Sequence, residues 1–379
     1  MPGLLPHVDP DGPLEYSVVY TDRTLNHMSQ AFQGIMRDIS AILKRTYGAT
    51  TVAIVPGGGT YAMEAVARQF AQGQHCLVIR NGWFSFRWSQ ILDAGAIASR
   101  TTVLKAQRLG NAAQSPSQSP FSPAPIEAVV AAIQSEKPAI VFAPHVETAS
   151  GMLLPDDYLR QMGDAVRAVN GLFVLDCIAS GALWVDMPAC GVDVLISAPQ
   201  KGWSGPACAG FVMLGERAAA RIETTTSSSF ACDLKKWLQI MAAYEGGGHA
   251  YHATMPTEAL RQVRAAMQET EAFGLERART QQLELGRRVR TLFVERGFPS
   301  VAATGFEAPG VVVSYTTDPE IQSGKKFLAL GLQTAAGVPL QCDEPADYRS
   351  FRVGLFGLDK LGNIDHTVGN LRQALDQLG

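Results

Sequence analysis

The sequence predicts an α/β fold: a large domain on a mainly parallel sheet, followed by a smaller α+β C-terminal domain. Three observations carry this. Short runs almost bare of charge, at 52–55, 76–79, 140–142, 172–175, 192–196 and 210–214, alternate with stretches of helical periodicity. Strands that are apolar along their whole length belong to sheets covered by helices on both faces. Gly57-Gly58-Gly59 then separates the first run from a helical pattern at 61–70, and a mixed helix and strand tail follows residue 296. At 379 residues the chain exceeds what one core comfortably organises. The expected division is an N-terminal arm at 1–26, a large domain at 27–273 and a small domain at 274–379.

Taken in order, the segment 1–6 lacks the basic and apolar regions of a secretory signal, and no stretch reaches the uninterrupted apolar length of a membrane span. The expectation is a cytoplasmic protein. Between 107 and 125 the chain is poor in apolar residues and rich in Ser and Pro, which predicts a loop, read first as a surface insertion and second as a lid. The region 257–296 reads as long helix with Gly274 and Gly286 as candidate breaks. Strands at 311–315 and 351–355 and a closing helix at 363–378 complete the small domain. The net charge of −3 and the absence of any Lys/Arg-rich block offer no field for nucleic acid or an anionic membrane. Cys76, Cys177, Cys190, Cys208, Cys232 and Cys342 show no CxxC spacing, and they read as reduced thiols rather than a disulfide frame or zinc site.

In parallel sheets, ligands bind beyond the carboxyl ends of the strands. Gly57–Thr60, His145, Asp176 and Lys201 all fall there. Lys201 follows the run 192–196, and Asp176 ends the run 172–175. An aldehyde cofactor needs an amine to hold it covalently, and its pyridine nitrogen needs a carboxylate to keep it protonated. Three glycines between a strand and a helix let the backbone approach a phosphate and aim free N–H groups at it. These three elements together point to pyridoxal 5'-phosphate, although each alone is a weak signal.

With these residues in place, the chain resembles the class V aminotransferases of fold type I, in the branch of the alanine:glyoxylate, serine:pyruvate and 2-aminoethylphosphonate enzymes. The resemblance runs from about His27 to the C-terminus. It implies that Lys201, in Ser197-Ala198-Pro199-Gln200-Lys201, carries the cofactor and that Gln200 helps hold its phosphate. Asp176 opens a D-x-x-x-S turn ending at Ser180, and Gly58, Gly59 and Thr60 match the phosphate loop. Within Asn81-Gly82-Trp83-Phe84-Ser85-Phe86-Arg87, Phe84 takes the place of the ring that covers the cofactor, with Trp83 as the competing choice. Thr148 lies in His145-Val146-Glu147-Thr148-Ala149-Ser150-Gly151. There Ala149 departs from a hydroxyl residue of relatives, and Thr148 and Ser150 are the candidates to compensate. Tyr251 and Thr254, in Tyr251-His252-Ala253-Thr254-Met255-Pro256, correspond to residues that reach the phosphate of a partner subunit, which implies a homodimer. Arg352, in Phe351-Arg352-Val353-Gly354, corresponds to the arginine that grips the substrate carboxylate. A planar guanidinium suits a carboxylate through two parallel charge-assisted bonds.

The expected function is therefore transfer of an amino group between an amino acid, or a related amine, and a small 2-oxo acid such as pyruvate or glyoxylate. Lys201 and Asp176 are the catalytic pair, and no metal is expected. Two rivals stand beside it. A lyase or desulfurase on the same scaffold would use Cys342 as sulfur acceptor, and a non-catalytic pyridoxal-phosphate protein would keep the fold alone. The pair His249 and His252 lacks an evident third metal ligand. Tyr16, Tyr20 and Arg23 in the divergent N-terminal segment stand as either specificity or dimer-surface residues.

Overall fold

The computed structural model describes residues 8–110 and 118–378. The segment 1–6 and Ser115-Pro116-Ser117 of the Ser/Pro-rich loop fall outside the described residues. The flanks of that loop pair as a short antiparallel ladder, Gln107–Arg108 with Phe121–Ser122.

The first helix, α1 (Gln30–Tyr47), starts at Ser29, whose Oγ accepts from the Phe32 N–H at 3.0 Å, and ends at Gly48 in the left-handed conformation. The main elements that follow are β1 (Thr51–Pro56), α2 (Gly59–Phe70), β2 (His75–Arg80), α3 (Trp83–Ala94), β3 (Arg100–Lys105), α4 (Ile126–Glu136), β4 (Ile140–Pro144), α5 (Asp156–Ala168), β5 (Leu172–Asp176), β6 (Val194–Ser197) and β7 (Ala209–Leu214). The seven strands form one sheet in the order β1-β7-β6-β5-β4-β2-β3. Every neighbouring pair is parallel except the two made by β7, which runs antiparallel to both β1 and β6. Because β7 reverses twice, β1 points the same way as β6. The carboxyl ends of β1, β2, β4, β5 and β6 thus share one rim.

All five residues of β4 and of β5, and all six of β7, are buried, as a sheet covered on both faces requires. The edge strand β3 is missing from the apolar runs read in the sequence. Its residues Arg100-Thr101-Thr102-Val103-Leu104-Lys105 are half-exposed or exposed, and they carry charge and hydroxyls that an inner strand would exclude.

Helix α6 (Leu234–Glu245) leads to α7 (Thr257–Phe273) and α8 (Leu275–Glu295), which meet at Gly274, φ +97°. Of the two candidate breaks, Gly274 is one and Gly286 is not. Gly286 lies inside α8, where a Cβ would stand 2.5 Å from Pro309 Cα, so the glycine serves close approach rather than a bend. Beyond α8, strands β8 (Val311–Tyr315), β9 (Ala335–Ala336) and β10 (Ser350–Gly354) form an antiparallel sheet in the order β8-β10-β9, and α9 (Ile364–Asp376) closes the chain.

A large apolar cluster fills the seven-stranded sheet and its helices, and a second, around Leu285, Val289, Phe293, Phe327 and Phe351, lies under the small sheet. A third cluster joins Phe121, Val146 and Ala149 to Val301, Val311 and Val313, so the two sheets are tied by buried packing. Backbone bonds add to it: Phe121 N–H donates to Val301 O at 2.8 Å and Leu153 N–H to Phe306 O at 2.7 Å.

Two glycines inside helices should respond oppositely to alanine. Gly286→Ala overpacks against Pro309 and is expected to cost about 1–3 kcal/mol. Gly369→Ala in α9, where a Cβ meets nothing within 4 Å, should stabilise by about 0.5–1 kcal/mol. Urea unfolding midpoints of the two variants check both signs.

Candidate functional site

The shared rim and the β8-β10-β9 sheet enclose a cavity of about 390 Å³. Of the residues singled out in the sequence, Gly59, Thr60, Phe84, Thr148, Asp176, Gln200, Lys201 and Arg352 line it. Gly58 sits directly beside it as the N-cap of α2, and Gly57 takes the turn at φ +117°. Tyr251 and Thr254 do not line it. They pair with each other, Tyr251 Oη to Thr254 Oγ1 at 3.2 Å, and the tyrosine is half exposed.

The N-terminus of α2 has no side-chain cap, and its first residues, Gly59 and Thr60, line one end of the cavity, so N–H groups left without a helical partner are available there to an anion. A Cβ on Gly59 would collide with Ile178 Cδ1 at 2.4 Å. Glycine there brings the helix start close to the turn that follows Asp176.

Asp176, at the end of β5, is buried; its Oδ1 accepts from the Ile178 N–H at 2.9 Å. Burial pushes its carboxyl up to about 7, with Glu147 adding to the rise and Arg87 opposing it. Below Asp176, the His145 backbone N–H donates to the Asp176 carbonyl at 2.8 Å, and His145 Nδ1 lies 2.7 Å from Ser180 Oγ. Burial drives the imidazole down to about 3, which keeps it neutral. His145 is therefore a packed neighbour of the Asp176 turn, and the aspartate alone presents to the cavity.

Lys201 occupies a turn after β6. Burial lowers its pKa and the nearby Arg352 lowers it further. Arg352 is held by its Nε, which donates to Ala336 O on β9 at 2.8 Å. Burial lowers its pKa as well.

Phe84 lines the cavity and Trp83 does not. Two guanidiniums stand near the Phe84 ring, Arg87 at 5.1 Å and Arg352 at 5.5 Å from its centroid. The helix that carries it is anchored by Glu147, which is fully buried. The Glu147 carboxylate accepts from the N–H groups of Phe84 at 3.2 Å, Ser85 at 2.8 Å and Ala149 at 2.9 Å, and from Ser85 Oγ at 2.6 Å. A carboxylate at a helix N-terminus is favoured by the free N–H groups and the helix dipole. Ala149 packs with no exposure, and Ser150 Oγ is buried with no partner. Thr148, not Ser150, reaches the cavity.

Among the lining residues given no role from the sequence are Arg87 and Phe356. Arg87 stands one helical turn after Phe84, and its Nη1 donates to Thr60 Oγ1 at 2.9 Å. Phe356 follows Arg352 and Gly354 at the period of two that puts alternate strand residues on one face. In both cases the spacing was a usable signal once the first residue had been placed.

The residues present fit pyridoxal phosphate: an amine, a buried carboxylate with one oxygen free of protein hydrogen bonds, an uncapped helix start for a phosphate and a ring to cover a ring. Among the described residues, no group of three His, Cys, Asp or Glu side chains stands where it could hold a metal ion. All six cysteines are free, and no helix there is long and apolar enough to cross a membrane.

No family model matches the chain. Among curated proteins, a 2-aminoethylphosphonate–pyruvate transaminase of Burkholderia ambifaria is 29% identical over 365 residues, 93% of this chain and 88% of the relative. A protein of Synechococcus sp. named soluble hydrogenase, small subunit, is 25% identical over 361 residues, 94% of this chain and 88% of the relative. Among solved structures, an alanine–glyoxylate aminotransferase of Nostoc sp. superposes with a TM-score of 0.76 at 22% identity, covering 93% of this chain and 89% of that one. A cysteine desulfurase of Thermococcus onnurineus shares the fold more distantly, with a TM-score of 0.67 at 14% identity over 92% of this chain and 85% of that one. The fold is that of the fold type I aminotransferases, and the chain has homologues in their class V branch.

Asp176 gives a test that needs no substrate. Its folded pKa, about 7, lies above the 3.8 of an unperturbed carboxyl. Between these values the folded state holds the extra proton, so stability is full below the lower value and falls as pH rises through the upper one. The loss is roughly 4 kcal/mol as an order of magnitude. Melting temperatures of the ligand-free protein should drop over that window, and Asp176→Asn should flatten the drop. An equal drop in the variant would place the titration elsewhere.

Proposed function

We propose that the chain is a pyridoxal-phosphate-dependent aminotransferase that moves an amino group between an amino acid, or a related amine, and a small 2-oxo acid such as pyruvate or glyoxylate. The observation that carries this is the convergence of Lys201, Asp176, the uncapped start of α2 and Arg352 on one cavity, in a chain whose homologues include named transaminases. The cofactor, when bound, supplies an aldehyde that takes up amino groups and a protonated ring that withdraws electrons from the substrate Cα.

Each residue then has a distinct task. The N–H groups at Gly59 and Thr60 hold the phosphate, with Gln200 beside them and the Arg87 guanidinium one hydrogen bond away from Thr60. Phe84 and Thr148 line the cavity where the ring would lie, and the Phe84 ring would cover one of its faces. Asp176 would meet the ring nitrogen. A positive charge there offsets the burial that raises its pKa, so the carboxylate ionises and keeps the nitrogen protonated. Arg352 binds the substrate carboxylate, and the same geometry accepts a phosphonate. Lys201, whose pKa is lowered, has more of its amine in the neutral form that would take the proton from the substrate Cα and deliver it to the cofactor carbon that had been the aldehyde. Donor and acceptor use the Arg352 site in turn, which implies ping-pong kinetics.

The proposal includes a cytoplasmic homodimer in which Tyr251 and Thr254 complete the phosphate site of the partner. Their position outside the chain's own cavity supports it, as do the exposed Leu14, Tyr16, Val18, Phe230 and Tyr251. Tyr16 is exposed, and Tyr20 Oη donates to Met255 O at 3.1 Å, beside the Tyr251 segment; this favours the dimer-surface reading of the arm. The division at 27–273 and 274–379 belongs to the same reading. The desulfurase alternative finds no support at Cys342. That thiol is buried, donates to Arg80 O at 3.3 Å, is pushed up to about 12 by burial, and does not line the cavity.

An absorption spectrum of the purified protein should show a bound-cofactor band that one amino donor shifts and one 2-oxo acid restores. A donor that yields sulfide, ammonia or carbon dioxide without an acceptor would move the assignment to a lyase. Lys201→Ala should abolish covalent attachment and slow turnover by a factor of about a thousand, whereas Cys342→Ser should leave transamination intact. Arg352→Ala is expected to lower kcat/KM by roughly tenfold to a hundredfold, through the lost charge-assisted bonds.

A further inference from the structure

The alternation that carries Arg352 and Gly354 into the cavity brings Phe356 there as well. Its ring centroid lies 4.9 Å from Lys201 Nζ, within the roughly 6 Å over which a cation is attracted to an aromatic face. Among the described residues Nζ makes no hydrogen bond or ion pair, so the ring face is the partner it meets.

Both sides of this pair are held by backbone. A Cβ on Gly310 would stand only 3.0 Å from the Phe356 ring, so the glycine lets the backbone before β8 approach the ring closely. The Leu355 N–H donates to Gly310 O at 2.9 Å. Gln282, buried in α8, donates from Nε2 to Pro309 O at 3.1 Å and to Leu355 O at 3.2 Å. On the lysine side, the Ser204 N–H donates to Lys201 O at 3.2 Å, and Ser204 Oγ accepts from the Leu358 N–H at 3.0 Å. The lysine turn and the ring are thus fastened to each other across the two sheets.

We propose that Phe356 is a positioning residue whose ring face holds the Lys201 amine in the cavity whenever the amine is free of cofactor. This rests on the reading of Lys201 as the cofactor-bearing amine. The ring attracts the ammonium form. Burial opposes it, and so does the Arg352 guanidinium from β10; the other charged groups lining the cavity are Asp176 at the end of β5 and Arg87 from α3. With the ring removed, the opposing effects act alone and the amine loses its proton at lower pH.

The test is competitive labelling of the full-length, cofactor-free chain with acetic anhydride across the alkaline range, with the Lys201 peptide quantified by mass spectrometry. Phe356→Leu should lower the labelling midpoint of Lys201 by roughly half a pH unit, and Phe356→Tyr, which keeps the ring face, should preserve it. A structural effect alone would lower melting temperature without moving this midpoint. The proposal is overturned by a Phe356→Leu midpoint equal to wild type, or by a Phe356→Tyr shift as large as that of Phe356→Leu, in proteins where borohydride still fixes the cofactor on Lys201. Absence of that fixation in the wild type would overturn the reading of Lys201 itself, and the proposal with it.

Discussion

A strand buried on both faces can carry almost no charge along its length, because each ionised group would lose its hydration without a partner. That constraint organises this molecule. The inner strands are apolar along their middles, so the groups capable of chemistry collect where the strands end, and the parallel alignment makes those ends a single rim. Asp176 arrives there buried and Lys201 partly buried. Burial raises the pKa of one and lowers that of the other, so both are displaced toward neutrality and both gain from a ligand that supplies a positive ring nitrogen and an aldehyde.

The second sheet completes the cavity. Its contribution is set by antiparallel register: Ala335 stands opposite Arg352, and Val311 opposite Gly354. All four line the site, so a one-residue slip would turn Arg352 away from the cavity. Register is held by buried polar bonds as well as by packing. Gln282 spans two backbone carbonyls from α8, and Glu147 fixes the start of α3 from the opposite wall. Both lie out of solvent, where an unmade hydrogen bond is costly. These bonds fix the two walls of the cavity to their neighbours.

Much of this was legible in the chain. The inner strands announced themselves because burial on both faces leaves only apolar residues, and Gly57-Gly58-Gly59, Asp176 and Lys201 were readable as ends of such runs. The edge strand β3 was not, since an exposed edge admits Arg100, Thr101 and Thr102 and loses the apolar signature. Gly286 read as a helix break because its local effect is to weaken a helix, whereas its role is set by Pro309, a residue 23 positions later that presses against it. Arg87 and Phe356 escaped because each is a common residue type whose meaning comes only from what faces it.

By itself, then, the sequence determined the periods: where the chain must be strand or helix, which ends carry chemistry, and which residue types gather there. These follow from local sterics and from the cost of burying charge, and both are written in neighbouring residues. Tertiary structure decided the pairings across distance: Trp83 outside and Phe84 inside, Thr148 rather than Ser150 at the wall, His145 tucked beneath Asp176, and the Phe356 ring under the lysine. Such choices depend on register and on close approach between segments far apart in the chain. No local pattern encodes them, because the energy that selects them exists only after the core has packed.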